Sequence, residues 1–68
     1  MTVQVKLNGE PRELPDGTTV AQAVAELTAA GTGIAAAVNG DVIPRGSWNA
    51  TLLRPGDQVE VVTAVQGG

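Results

Sequence analysis

A chain of 68 residues allows one domain with a small core, because a domain of this size buries only about 60% of the surface its unfolded chain exposes. The formal charge is −3, and the cations Lys6, Arg12, Arg45 and Arg54 are too few and too scattered to make a basic patch for phosphate backbones, which argues against nucleic-acid binding. Cysteine and histidine are both missing, which excludes a thiol-borne persulfide, a thiolate nucleophile, a histidine general base and nearly all zinc sites.

The seven acidic residues are spread singly, so neither a catalytic carboxylate pair nor a hard-metal cluster is visible. No apolar run approaches membrane-spanning length, and the N-terminus carries neither a basic n-region nor a signal-peptide h-region. With no disulfide framework either, the expected location is the cytoplasm. The apolar content is Val, Ala and Leu with one aromatic, Trp48, which favours strands and a compact aliphatic core.

Val3, Val5 and Leu7 alternate with Thr2, Gln4 and Lys6, the period of a strand with one buried and one wet face. Asn8-Gly9 is a two-residue hairpin signal, since both central positions of the favoured turn need positive φ, and Glu10 to Leu14 is expected to return antiparallel. Pro11 has no N–H to donate, which places this second strand at an edge. Pro15-Asp16-Gly17 breaks the strand. Thr19 and Gln22 then fit a capping box, and Val20, Ala23, Val24 and Leu27 form one apolar stripe. The expected helix runs about three turns, continues through Ala29-Ala30, and ends on a left-handed cap at Gly31 or Gly33.

Ile34 to Val38 reads as a central or near-central strand, Asn39-Gly40 as a second hairpin turn, and Asp41-Val42-Ile43 as a short return strand stopped by Pro44. Arg45 to Leu53 lacks clean periodicity, with a helical turn expected around Ser47-Trp48-Asn49. Pro55-Gly56-Asp57 is a tight turn, after which Val59, Val61 and Thr63 alternate with Glu60, Val62 and Ala64 in a strand expected over Gln58 to Val65. Glycines 9, 17, 40 and 56 are turn residues and receive no chemistry. Two hairpins, one helix and a closing strand give an α+β fold, a small mixed four- or five-stranded sheet with one helix across one face; a last strand that pairs parallel with the first would be central in it.

The remaining feature is the end, Ala64-Val65-Gln66-Gly67-Gly68. Two residues without a Cβ thread a narrow slot, and the terminal carboxylate is ionised in neutral water. Five extended residues reach roughly 17 Å, enough to cross a partner's active-site channel. The expected organisation is therefore a domain over residues 1–64 and a flexible, reactive tail over 65–68.

Several motifs together point to a family: Val3-Gln4-Val5-Lys6-Leu7-Asn8-Gly9, Gly17-Thr18-Thr19-Val20, Ala37-Val38-Asn39-Gly40, Ile43-Pro44-Arg45-Gly46-Ser47-Trp48, Gly56-Asp57 and the terminal Gly67-Gly68. Over its full length the chain resembles the ThiS family, small ubiquitin-like β-grasp sulfur carriers of thiamine biosynthesis. Gly46 departs from the acidic or longer residue that relatives often carry there. The resemblance implies a carrier and not an enzyme, with no bound cofactor and ATP consumed by a partner. A ubiquitin-activating-type, ThiF-like enzyme would convert the Gly68 carboxylate to a glycyl-adenylate. Sulfur from a donor such as a persulfide would then yield a thiocarboxylate at Gly68, and a ThiG-like thiazole synthase would use that sulfur to build the thiazole ring. Gly67, Gln66 and Val65 would be the part of the tail that enters partner active sites. The absence of cysteine agrees with this chemistry, since it leaves the terminal acyl group as the place to hold sulfur covalently.

The candidate partner surface comprises Val62 and Ala64, with Ala35 and Ala37 beside them on the open face of the sheet, and Trp48. A lone Trp48 is more often a plug for one end of a small core, and an exposed one would be a docking residue; Arg45 reads as a solvated or helix-end contact or as a recognition residue. Competing functions are the molybdopterin-synthase small subunit, a carrier of the same type in proteins that tend to be longer and richer in phenylalanine, a ubiquitin-like modifier joined to lysines through Gly68, and a plain interaction module.

Overall fold

The computed structural model describes residues 1–28 and 33–63. Strands β1 (Thr2–Leu7) and β2 (Glu10–Pro15) form the first hairpin, helix α1 spans Val20–Leu27, and β3 (Ile34–Val38) and β4 (Asp41–Ile43) form the second hairpin. A 3₁₀ helix covers Arg45–Ala50, and β5 (Gln58–Thr63) closes the described chain. The five strands form one mixed sheet in the order β2-β1-β5-β3-β4, with β5 parallel to β1 and antiparallel to β3. The last strand pairs parallel with the first and is therefore central.

Both hairpins turn on Asn-Gly pairs in which all four residues have positive φ: 52° at Asn8 and Asn39, 85° at Gly9 and 87° at Gly40. Left-handed backbone at both central positions matches the twist of the flanking strands and fixes the registers Leu7 opposite Glu10 and Val38 opposite Asp41. Strand β2 lies at the sheet edge, where Pro11 is opposite Lys6. The Lys6 N–H donates to the Asp57 carbonyl on the β5 side (2.9 Å), so Lys6 and Pro11 form a pair without mutual hydrogen bonds. The missing proline donor therefore faces outward and costs the ladder nothing.

The inward side chains of the strands, Val3, Val5, Leu7, Leu14, Ala36 and Val59, meet Val20, Ala23 and Val24 of α1 in one core. The helix begins as expected: the Thr19 hydroxyl accepts from the Gln22 N–H (3.3 Å), and the Gln22 side chain accepts from the Thr19 N–H (2.9 Å). Its end differs. Thr28 is already extended (φ −154°, ψ 147°), so α1 has eight residues and about two turns instead of three. It stops without a left-handed glycine, because Thr28 leaves the helix in a β conformation while its N–H still bonds the Val24 carbonyl (3.0 Å). The expected continuation at Ala29 and Ala30 and the cap at Gly31 lie outside the described residues; Gly33 has φ +72° but lies beyond the helix end.

Within the segment without clean periodicity, Arg45–Ala50 is a 3₁₀ helix, longer than the single turn expected, and it closes one end of the core with Trp48, 6% exposed. The chain after it returns to the helix entry, with Val20 N–H bonded to the Thr51 carbonyl and Leu53 N–H to the Thr18 carbonyl, both 2.9 Å. Buried Thr18 satisfies its hydroxyl on the Pro15 carbonyl at 2.6 Å. Among the described residues no helix is long and apolar enough to cross a membrane.

Trp48→Ala should destabilise the domain by about 3–5 kcal/mol, the usual cost of truncating a buried aromatic, and in a domain this small that should unfold much of the population. Urea titration followed by far-UV circular dichroism checks it. Thr19→Ala should cost about 1 kcal/mol through loss of the helix cap.

Candidate functional site

The proposed tail residues Val65, Gln66, Gly67 and Gly68, and Ala64 from the proposed partner surface, lie outside the described residues. What the structure places is the root from which they continue, Val61-Val62-Thr63 at the end of β5. Along one edge this root pairs with β3, Val61 opposite Ala36, Val62 opposite Ala35 and Thr63 opposite Ile34. Along the other edge β1 gives out early, since its paired register with β5 covers only Lys6–Gln58 and Leu7–Val59.

Asn8 fills the gap. Its backbone N–H donates to the Val59 carbonyl (2.8 Å), and its side-chain amide then takes up both polar groups of Val61: Oδ1 accepts from the Val61 N–H (2.7 Å) and Nδ2 donates to the Val61 carbonyl (3.2 Å). A carboxamide offers the same donor and acceptor as a peptide group, so it continues the ladder after the backbone has turned away. Asn39 does comparable work where β5 begins. Its N–H reaches the Gln58 carbonyl (2.8 Å), its Oδ1 accepts from the Gln58 N–H (3.0 Å), and its Nδ2 donates to Asp57 Oδ1 (2.9 Å). Asp57 Oδ2 in turn accepts the Arg54 N–H (2.8 Å), closing the turn before the strand. Sequence reasoning assigned the two asparagines to turns alone; the signal for more was that an Asn-Gly turn beside a central strand leaves that strand's next peptide group without a ladder partner.

The sheet face away from the helix divides in two. Registers place Thr2, Gln4 and Lys6 of β1, Glu13 of β2, and Gln58 and Glu60 of β5 on one polar half. They place Val62 beside Ala35, and Val42 beside Ala37, on the other. Val62 is 58% exposed and Val42 73% exposed. The structure thus brings Val62, Ala35 and Ala37 to one face as expected and adds Val42, whose outward position the short Asp41-Val42-Ile43 run did not reveal.

Trp48 does not join that surface, which corrects its candidacy as a docking residue. It is buried, and its Nε1–H donates to the Ile43 carbonyl at 2.8 Å, so both its apolar body and its polar atom are used inside the fold. The Arg45 guanidinium lies 5.2 Å from the Trp48 ring centroid. A 3₁₀ helix has three residues per turn and eclipses positions i and i+3, so an arginine three residues before a tryptophan stacks on it. The Arg-x-x-Trp spacing is therefore explained by packing. Among the described residues no group of three or more Asp, Glu, His or Cys could hold a metal ion.

A mixed sheet with its first and last strands parallel at the centre and a single helix across one face defines a β-grasp domain, the class to which ubiquitin-like proteins belong. Residues 5–68 match the model of the ThiS family. The chain is 27% identical over 66 residues to the sulfur carrier protein ThiS of Escherichia coli, covering 97% of this chain and 100% of that protein. It is also 36% identical over 66 residues to a thiazole synthase of Magnetococcus marinus, where it spans only 20% of the longer protein. The crystal structure of the thiamine biosynthesis protein ThiS from Geobacter metallireducens superposes with a TM-score of 0.79 at 26% identity, covering 97% of this chain and 100% of that one. The chain belongs to the ThiS family.

Arg45→Ala should remove only the exposed cation–π contact and cost about 0.5–1 kcal/mol, measurable as a small shift of the urea midpoint with Trp48 still buried. A loss several times larger would mean that Arg45 holds more of the fold than the ring contact.

Proposed function

We propose that this chain is a sulfur carrier of thiamine biosynthesis that works as a co-substrate and not as a catalyst. The observation supporting it most directly is the end-to-end match to a sulfur carrier, 97% of this chain against 100% of that protein, in a sequence with neither cysteine nor histidine. Relatives named for thiamine and thiazole favour this pathway over the molybdopterin route and over lysine modification.

The chemistry proceeds at Gly68. Its carboxylate oxygen attacks the α-phosphorus of ATP in a ThiF-like adenylating enzyme, pyrophosphate leaves, and a glycyl-adenylate results. The terminal sulfur of a persulfide donor attacks the acyl carbon and expels AMP. A thiol then cleaves the S–S bond of the acyl persulfide, forming a mixed disulfide and releasing the thiocarboxylate. That group is ionised and nucleophilic at neutral pH, so the carrier supplies no base of its own. A ThiG-like thiazole synthase receives the sulfur; a stretch similar to this whole chain within a longer thiazole synthase supports that partnership.

Residues 65–68 enter each partner's active site, and the apolar half of the open sheet face around Val62 is the surface on which the partners dock in turn. Val62 belongs to the root of the tail, so a partner seated on it holds the channel mouth where the tail begins.

Incubation with the adenylating enzyme, ATP and a persulfide donor should exchange one oxygen for one sulfur at the C-terminus, read by intact mass spectrometry. Deletion of Gly68 should abolish the exchange, and an unchanged mass for the full chain would overturn the carrier reading. Val62→Asp should leave the fold intact, because the side chain faces solvent, yet weaken both partner complexes by more than about 1 kcal/mol in calorimetric titration. Unaltered affinity for both would reject the docking face.

A further inference from the structure

We propose that Asn8 is a positioning residue for the carrier reaction: by bonding both backbone groups of Val61, its side-chain amide fixes the direction in which β5 leaves the sheet toward the reactive end; this rests on the carrier reading above. The geometry is specific. Parallel pairing between β1 and β5 stops at Leu7–Val59 because the chain reverses at Asn8-Gly9. Without the Asn8 amide, the described residues would hold Val61, Val62 and Thr63 along the β3 edge alone. A strand end paired on one edge frays more readily than one paired on two, and fraying begins at the terminus.

Fraying at this root matters more than elsewhere. Five residues follow Thr63, and drawn out in a partner's channel they reach roughly 17 Å. A swing of about 10° at Thr63 therefore moves the acyl carbon by about 3 Å. Misplacement of reacting atoms by about 1 Å is enough to slow an enzymatic step by about a hundredfold, although binding in the channel restores part of the alignment.

Position 8 also allows the side chain to be tested apart from the backbone. Asn8 has φ +52°, a conformation glycine adopts more easily than asparagine, so Asn8→Gly removes the clamp while keeping the turn. Asn39 supplies the matched control. It occupies the same turn position with the same φ, and its side chain bonds Gln58 at the opposite end of β5, away from the tail.

The experiment measures ATP–pyrophosphate exchange by the ThiF-like adenylating enzyme with wild type, Asn8→Gly and Asn39→Gly, together with hydrogen exchange at the Val61 amide. For Asn8→Gly, kcat should fall about tenfold with KM within about twofold, because docking through the sheet face is untouched while alignment is lost. The Val61 amide should exchange faster in the same variant, and Asn39→Gly should keep the wild-type kcat. Wild-type kcat in Asn8→Gly, or equal losses in both variants, would overturn the proposal. Should Asn8→Gly fail to fold, Asn8→Asp keeps the acceptor for the Val61 N–H but loses the donor to its carbonyl, and an intermediate kcat is expected; an unchanged one rejects the role. A wild-type chain that is not activated at all would remove the carrier reading and this inference together, an outcome told apart by the silence of the wild type itself.

Discussion

Strand β5 is held along both edges by partners from distant parts of the chain, β1 from its start and β3 from its middle. A central strand has its backbone groups paired on two sides and its inward side chains, here Val59 and Val61, packed against the core, so it is the hardest element to displace. Other features of the fold serve that placement. The chain must pass from the β1–β2 side of the sheet to the β3–β4 side, and α1 lies in that connection while burying Val20, Ala23 and Val24. The turn before β5 is closed by Asp57, which accepts from both Arg54 and Asn39.

Two asparagines extend this arrangement past the limits of the backbone ladder. Each sits at the first position of a left-handed hairpin turn, where the chain leaves the sheet; Asn8 gives both groups of its carboxamide to Val61, and Asn39 gives its Oδ1 to Gln58 and its Nδ2 to Asp57 in the turn before β5. A tight turn and a continuous ladder are in conflict, since the residue that reverses the chain cannot also pair onward. A side-chain amide resolves the conflict because it duplicates the peptide's hydrogen-bonding groups.

The body of the domain is chemically quiet, as a carrier's can be. Its one tryptophan is committed to the core and to the Ile43 carbonyl, and its arginine neighbour to that ring. What distinguishes the outer sheet face is its division into a polar half on β1 and β2 and an apolar half on β3 and β4, with β5 at the seam, contributing Glu60 to one and Val62 to the other. In the proposed reaction the electrostatic work belongs to the partners, and the carrier contributes a docking face and an aimed end.

Local rules are written directly into this sequence. The period of Val3-Val5-Leu7, the Asn-Gly turns, the edge position forced by Pro11 and the Thr19–Gln22 capping box each depend on residues close together in the chain, and each stands in the structure as read. The family signature was legible for the same reason, since it consists of short spaced motifs. Helix α1 ends at Leu27, earlier than expected, because Thr28 is already extended, a backbone choice that side-chain periodicity does not encode. Trp48 was left open between core and surface, as sequence fixes its spacing from Arg45 but not which way a 3₁₀ turn faces. The roles of Asn8 at Val61 and Asn39 at Gln58 depend on residues 53 and 19 positions away, and no local pattern encodes such a contact. Sequence alone determined the elements, the turns and the absence of thiol or imidazole chemistry; only the assembled sheet, by setting β5 between β1 and β3, decided which side chains meet across it.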